Sequence, residues 1–295
     1  PGDPTTKYIN PDFDPEVRQL MLQKFGLDQP LHIQYWRWLT SFIQGDFGVS
    51  FDKSRPVVEV IKDAIINTLI LSILALVVSL LTGVILGVLS AIRQYSRFDN
   101  VMTIASLFFY SMPSFWLGLM LILIFSLVLG WLPAGGMVSV NYEYMNSAAQ
   151  LGDRVIHLIL PVFVLGIASA ASTMRYMRGS MLEIIRQDFI RTARAKGLSE
   201  RVVNLKHATR NALSPVVTLF GLSIPFLFSG AVITEIVFAW PGMGRVMLTS
   251  IFARDYPVTI AITAIAFIMV MLGNLIADIL YAIVDPRVRF DGGSK

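Results

Sequence analysis

The stretch "DFIRTARAKGLSERVVNLKHATR", residues 188–210, decides how the chain is read. Six of its residues are Lys or Arg, and it lies between two long apolar runs, 154–177 and 212–238. Polar segments between runs long enough to cross a bilayer form loops on one membrane face, and basic loops face the cytoplasm. This stretch therefore orients the runs around it.

The hydrocarbon core takes about 20 helical residues to cross. Apolar runs of that scale occur at 64–92, 101–132, 154–177, 212–238 and 258–284. Each is too long for a strand and none alternates, so the fold class is all-α, a polytopic membrane protein with five transmembrane helices in this chain. A composition 55% hydrophobic and 15% charged, with mean hydropathy +0.64, agrees.

Counting basic residues loop by loop gives alternating sides. The loop 133–153 has none and 239–257 has Arg245 and Arg254, whereas the short 93–100 turn carries Arg93 and Arg97. The segment 175–210 carries nine basic residues against three acidic ones, and the tail carries Arg287, Arg289 and Lys295. Residues 1–62, 133–153 and 239–257 are expected outside, and 93–100, 175–210 and the C-terminus in the cytoplasm. The chain divides into an extracytoplasmic region 1–62 with short helices, a transmembrane domain 63–286 whose cytoplasmic loop spans about 179–210, and a tail 287–295. Pro1 is not a natural start residue, so a further helix is expected upstream, making six with both ends inside.

In the outer region, "LHIQYWRWLTSFIQ" reads as an amphipathic helix whose Tyr35, Trp36 and Trp38 suit a membrane interface. A small soluble cap with its own core fits the same residues. Within the spans, Gly83 and Gly87, and the row Gly166, Ser169, Ala170 and Thr173, are small enough for close helix approach in lipid. Pro113, Pro161, Pro215 and Pro225 are expected to kink their helices. Glu235 and Asp278 are the main charges inside the spans, too few for an ion-coupled relay; interface snorkelling or a helix-to-helix hydrogen bond serves equally well.

Several chemistries are excluded. Without cysteine there is no disulfide, thiolate nucleophile or Cys-based zinc site, and His32, His157 and His207 lack metal-ligand spacing. No GxxxxGK[ST] phosphate loop, HExxH helix or Ser/His/acid cluster is present, so no catalytic residues, metal or cofactor are expected on this chain, nor a nucleic-acid partner.

The opening stretch reads as two short helices broken by Gly197. Before it, Leu182, Ile185, Phe189 and Ala193 form an apolar face; after it, Ser199 serves as N-cap, Glu200 suits the first turn, and Leu198, Val202 and Leu205 rebuild a stripe. Spacing alone fits a hairpin on anionic membrane lipid as well as a protein-docking element.

"RTARAKGL" resembles the cytoplasmic E-A-A-x-x-x-G signature of permease subunits of bacterial ATP-binding-cassette (ABC) importers, with Arg191, Thr192, Ala193 and Gly197 at its positions. Only Ala193 and Gly197 match; Arg191 in place of Glu, with "HATRNALSP" following, is similar to the dipeptide, oligopeptide and nickel branch. "EIVFAWPGMGR" (Glu235 to Arg245), "NLIADILYAIVDPRVR" (Asn274 to Arg289), and "FGLDQPLHIQYWRWL" with "GDFGVSF" resemble other parts of that branch.

The resemblance implies the type I importer permease fold and a peptide pathway, or the same machinery carrying nickel or oligosaccharide. The partners it implies are a second homologous permease, two cytoplasmic ATPase subunits holding ATP and Mg, and an extracytoplasmic substrate-binding protein. Arg191, Thr192, Ala193, Arg194, Lys196, Gly197 and Leu198 would couple to the ATPase, though Arg194 and Lys196 serve equally as positive-inside determinants. Trp240, Pro241, Gly242, Met243, Gly244 and Arg245 would contact the binding protein or a gate. Tyr110, Ser111, Met112, Pro113 and Ser114 are candidate pathway residues from their polarity and the proline break, with core packing as the plainer role. A stand-alone channel or ion-coupled carrier is the reading from another class.

Overall fold

The computed structural model describes residues 28–223 and 231–284. Expectations that rest on Pro1, Pro225, Arg287, Arg289, Lys295 or the Asp278 side chain lie outside the described residues.

Apart from an isolated bridge pairing Val49 with Pro56, the described chain is helices, turns and loops. Helix α1, Leu31–Ile43, precedes the long α2, Val57–Ile92, and a tight turn leads into α3, Arg97–Ser111. Then come α4, Ser114–Leu121, running on as a π-turn over Ile122–Val128, and the 38-residue α5, Ser147–Ile184. Short helices α6, Asp188–Ala195, α7, Glu200–Val202, and α8, Thr209–Ala212, follow, with a π-turn at Val203–Ala208 between the last two. The chain continues through α9, Ser214–Ser223, α10, Val232–Val237, α11, Met243–Phe252, and α12, Tyr256–Val284.

Among the described residues, α2, α5 and the Tyr256–Ala277 part of α12 are each long and apolar enough to cross a membrane, and α3 with α4 forms a bent apolar pair that makes a fourth if the two count as one span. The expected 212–238 span is described only at its ends, as α9 and α10. The run 101–132 is not one straight helix: it turns through 105° at Met112–Pro113. A residue before proline is pushed out of the α region. Met112 is accordingly extended, with φ -81° and ψ 129°. Helix α5 continues unbroken through Pro161, which is buried in the bundle, and Pro215 is the second residue of α9, where a missing N–H costs nothing.

The α2–α5 pair is the axis of the bundle. A Cβ on Gly83 would stand 2.7 Å from Thr173 Cβ, one on Gly87 2.7 Å from Met177 Cβ, and one on Gly166 3.1 Å from the Ala75 carbonyl oxygen. The two backbones meet where the small residues fall, as the spacing predicts, because dispersion contacts rather than water exclusion hold helices together in lipid.

Helix α1 has no buried residue among those described. It hangs on the bundle by rings: Trp38 on Phe42 at 5.2 Å and Phe42 on Phe47 at 4.9 Å, with Phe47 packed against Val57, Val60, Met243 and Val258.

Candidate functional site

At its end α5 gives way to a three-residue turn in which Arg186 N–H donates to the Glu183 carbonyl and Gln187 N–H to that of Ile184. The turn resets the helical phase. In α6 the buried residues are Ile190, 0% exposed, and Ala193, whereas Phe189 is 42% exposed. The inward face keeps Leu182, Ile185 and Ala193 of the expected row, but takes Ile190 in place of Phe189. These side chains pack with Val88, Ala91, Met177 and Met181 from the ends of α2 and α5. Ala193 thus anchors the loop on its own bundle.

Gly197 makes the turn after α6. Its φ is 78°, a left-handed conformation that only glycine takes at little cost. Gly197 N–H donates to the Arg194 carbonyl at 2.9 Å and Leu198 N–H to the Ala193 carbonyl at 3.4 Å, the paired bonds of a Schellman cap. Arg194 reaches over the turn to Glu200 with bonds of 2.8 Å and 3.3 Å. Both groups are well exposed, so the pair shapes the hairpin and adds little stability. Ser199 occupies the N-cap of α7 as expected, but its side chain caps nothing.

Beyond the turn Val203, Ala208 and Ala212 are fully buried in the same cluster as Ile190. The stripe expected from spacing, Leu198, Val202 and Leu205, faces away from the bundle and is exposed, as is Phe189. Arg191, Thr192, Lys196 and Gly197 are exposed beside it. A basic, apolar-striped surface is therefore held on a rigid two-helix frame at the end of α2 and α5.

A buried ion pair braces that frame. Asp99, 1% exposed, takes two bonds from Arg178 on α5, at 2.6 Å and 2.7 Å, one from the Ser90 hydroxyl, and one from Tyr95 N–H at 2.9 Å. Tyr95 sits at φ 63° in the α2–α3 turn, a conformation stabilised by its bond to Asp99. Sequence reading missed this node, whose two partners lie 79 residues apart.

The opposite end of the bundle carries a second knot. Glu235 is fully buried, accepting from the Thr68 hydroxyl at 2.7 Å and from Arg245 N–H at 3.0 Å. Thr68 in turn accepts from Met243 N–H at 2.8 Å. The carboxylate thus caps the N-terminus of α11 from a different helix, a favourable place for negative charge. This corrects the snorkelling alternative for Glu235.

Trp240 is also fully buried and donates to the Asn67 carbonyl at 2.9 Å. Gly242, Met243 and Gly244 are buried and Arg245 is partly so, its guanidinium donating to the Ala239 carbonyl at 2.6 Å. Of the six residues expected to meet a binding protein, only Pro241 is well exposed. The others lock α10 and α11 onto α2 because their apolar and amide groups find partners inside the chain. We expect Glu235→Gln to lower stability by about 1–3 kcal/mol, since the amide NH2 then faces a backbone N–H; thermal melting in detergent reads this out.

At the α3–α4 break, Tyr110, Ser111, Pro113 and Ser114 are exposed and Met112 is partly buried. They are not packed into this chain's own core, Met112 excepted. The Arg175 guanidinium lies over the Tyr110 ring at 4.4 Å. Among the described residues no group of three His, Cys, Asp or Glu could hold a metal ion.

Apolar helices of membrane-crossing length and a projecting basic loop at one end define a polytopic membrane protein. Residues 83–290 match the family model described as the binding-protein-dependent transport system inner membrane component. The chain is 46% identical over 291 residues to the oligopeptide transport system permease protein AppB of Bacillus subtilis, covering 98% of this chain and 90% of that protein. It is 40% identical over 290 residues to the glutathione transport system permease protein GsiC of Salmonella paratyphi A, with the same coverage. The inward-facing MetNI methionine ABC transporter superposes with a TM-score of 0.61 at 16% identity, over 77% of this chain and 97% of that one, a likeness of fold. The chain belongs to the binding-protein-dependent transport system inner membrane component family: it is a multi-pass transmembrane subunit of an ABC importer, with the type I permease fold.

Proposed function

We propose that this chain forms half of the pathway of an importer for short peptides. The observation that carries this reading is the 46% identity with an oligopeptide permease across 98% of the chain. The glutathione permease at 40% identity supports the same cargo class, since glutathione is itself a tripeptide, over nickel or oligosaccharide. A second permease completes the pathway, a substrate-binding protein delivers the peptide from outside, and two ATPase subunits holding ATP and Mg act from the cytoplasm.

The loop at 188–212 is the coupling element. Its exposed stripe of Phe189, Leu198, Val202 and Leu205, flanked by Arg191, Arg194 and Lys196, supports docking on an ATPase, and its buried side ties that surface to α2 and α5. A push on the stripe is then transmitted to the spans as a rigid displacement. Thr192 and Gly197 lie at the edge of this contact, while Ala193 supports it from behind. The basic end faces the cytoplasm and the Glu235 knot faces outward, in keeping with the loop charges.

Reconstituting the complex in proteoliposomes with its binding protein and radiolabelled di- to pentapeptides tests the cargo; peptide-independent nickel or oligosaccharide uptake would overturn it. Gly197→Trp tests the coupling. A Cβ there meets nothing within 4 Å, but a bulky residue strains the left-handed turn and protrudes beside Leu198. Uptake should fall at least about tenfold while ATP hydrolysis loses its response to peptide-loaded binding protein. Normal uptake by a fully assembled variant would remove the coupling role.

A further inference from the structure

Helix α5 carries three arginines, one of them neutralised by an ion pair and two lying over tyrosine rings. Arg178 is paired with Asp99, and Arg154, near the other end, lies over the Tyr142 ring at 5.1 Å. Arg175 stands apart. It lies one turn inward from Arg178, about 4.5 Å along the axis, in a helix that crosses the membrane.

Long basic side chains usually bend toward the nearest aqueous interface. Arg175 instead extends to Tyr110, eleven residues beyond Asp99 on α3 and at its far end. Helical side chains lean toward their own N-terminus. Arg175 on α5 and Tyr110 on α3 therefore lean toward each other from antiparallel helices and meet within the crossing.

No carboxylate of the described residues pairs with Arg175, and the nearest by sequence position on α3, Asp99, is fully engaged elsewhere. Tyr110 is 54% exposed, and its neighbour Ser111 lines an open groove with Met112, Pro113 and Trp116. The result is a half-buried cation near the cytoplasmic end of the bundle, steadied by an aromatic face one residue from the edge of that groove. An arginine on a membrane-crossing helix with no carboxylate partner is a site to test for contact with a charged solute.

We propose that Arg175, positioned by the Tyr110 ring, recognises the C-terminal carboxylate of the peptide in transit. The proposal rests on the peptide-cargo reading above. The guanidinium's planar fork matches a carboxylate with two parallel N–H···O bonds, and the ring holds it in place without neutralising it. A peptide's free carboxylate is the one anionic group common to all sequences, so one arginine serves many cargoes. Pathway selectivity then acts on the terminus rather than on side chains.

The test compares uptake of a peptide with that of its C-terminal amide in proteoliposomes holding the complete importer and saturating binding protein. The binding protein is the same throughout, so any change in the acid-to-amide ratio between variants is set by this chain. Arg175→Gln should lower uptake of the free acid about 10- to 100-fold and leave the amide within about twofold, collapsing the ratio. Tyr110→Phe keeps the ring and should preserve the ratio, whereas Tyr110→Leu should lower it by about fivefold.

An unchanged ratio in Arg175→Gln would overturn the proposal while leaving the peptide cargo intact. Equal losses for acid and amide would also overturn it, assigning Arg175 to the fold or to lipid phosphate. If the wild-type complex carries no peptide at all, the cargo reading falls, and this proposal with it.

Discussion

Arg178→Met is expected to destabilise the chain by about 3–5 kcal/mol, because it strands a carboxylate that has almost no contact with water. Asp99 is 1% exposed, and once Arg178 is gone its charge is met only by the Ser90 hydroxyl and Tyr95 N–H. The matching change, Asp99→Asn, leaves the Arg178 guanidinium 24% exposed and so partly hydrated, which makes it the milder single variant. Combining the two should restore most of the loss, since removing both charges of a buried pair leaves no uncompensated ion. Reversible unfolding in SDS, run as a double-mutant cycle, measures the coupling; additive losses would show that the pair does not act as a unit. Functionally, the pair fixes the α2–α3 turn to α5 beside the cluster that anchors Ile190 and Ala193. Loosening it should also weaken peptide-stimulated ATP hydrolysis.

Gly87→Leu should prevent the folded chain from accumulating in the membrane. A Cβ at this position would lie 2.7 Å from Met177 Cβ and 2.8 Å from the Met174 carbonyl oxygen, so α2 and α5 would have to separate along their principal contact. Even Gly87→Ala should cost about 1–3 kcal/mol, the scale of forcing one group into a filled core. Gly83 presents the same geometry against Thr173 and Ala170. A Cβ on Gly179, also in a helix of this pair, would meet nothing within 4 Å. Gly179→Ala is therefore the internal control and should be neutral or slightly stabilising through helix propensity. Membrane-inserted yield and melting temperature across the three variants check the contrast; equal effects at positions 87 and 179 would mean that close packing does not decide the outcome.

Local pattern made several features legible. The apolar runs required helices, because an unsatisfied backbone amide cannot remain in hydrocarbon. The small residues at 83, 87 and 166 marked the close approach of α2 and α5, and Gly197 marked the turn, since each depends only on the size of its own side chain. The stripe at Leu198, Val202 and Leu205 was also readable, though not which way it would face.

Of the face drawn through Leu182, Ile185, Phe189 and Ala193, three residues pack inward as expected, and the turn after Ile184 brings Ile190 inward in place of Phe189. Nothing local in the stretch from Trp240 to Arg245 showed that Trp240 would be buried with its indole N–H on the Asn67 carbonyl.

Taken by itself, the amino-acid order determined that this protein is a bundle of membrane-crossing helices with a basic, glycine-broken loop at one end. Hydrophobic length, charge count and glycine placement are properties of contiguous residues. The tertiary structure alone decided that Asp99 meets Arg178 79 residues on, that Thr68 meets Glu235 167 residues on, and that Ser50 meets Asp255 205 residues on. A buried carboxylate must find donors wherever the fold brings them, and no periodicity in the chain records which distant residue will supply them.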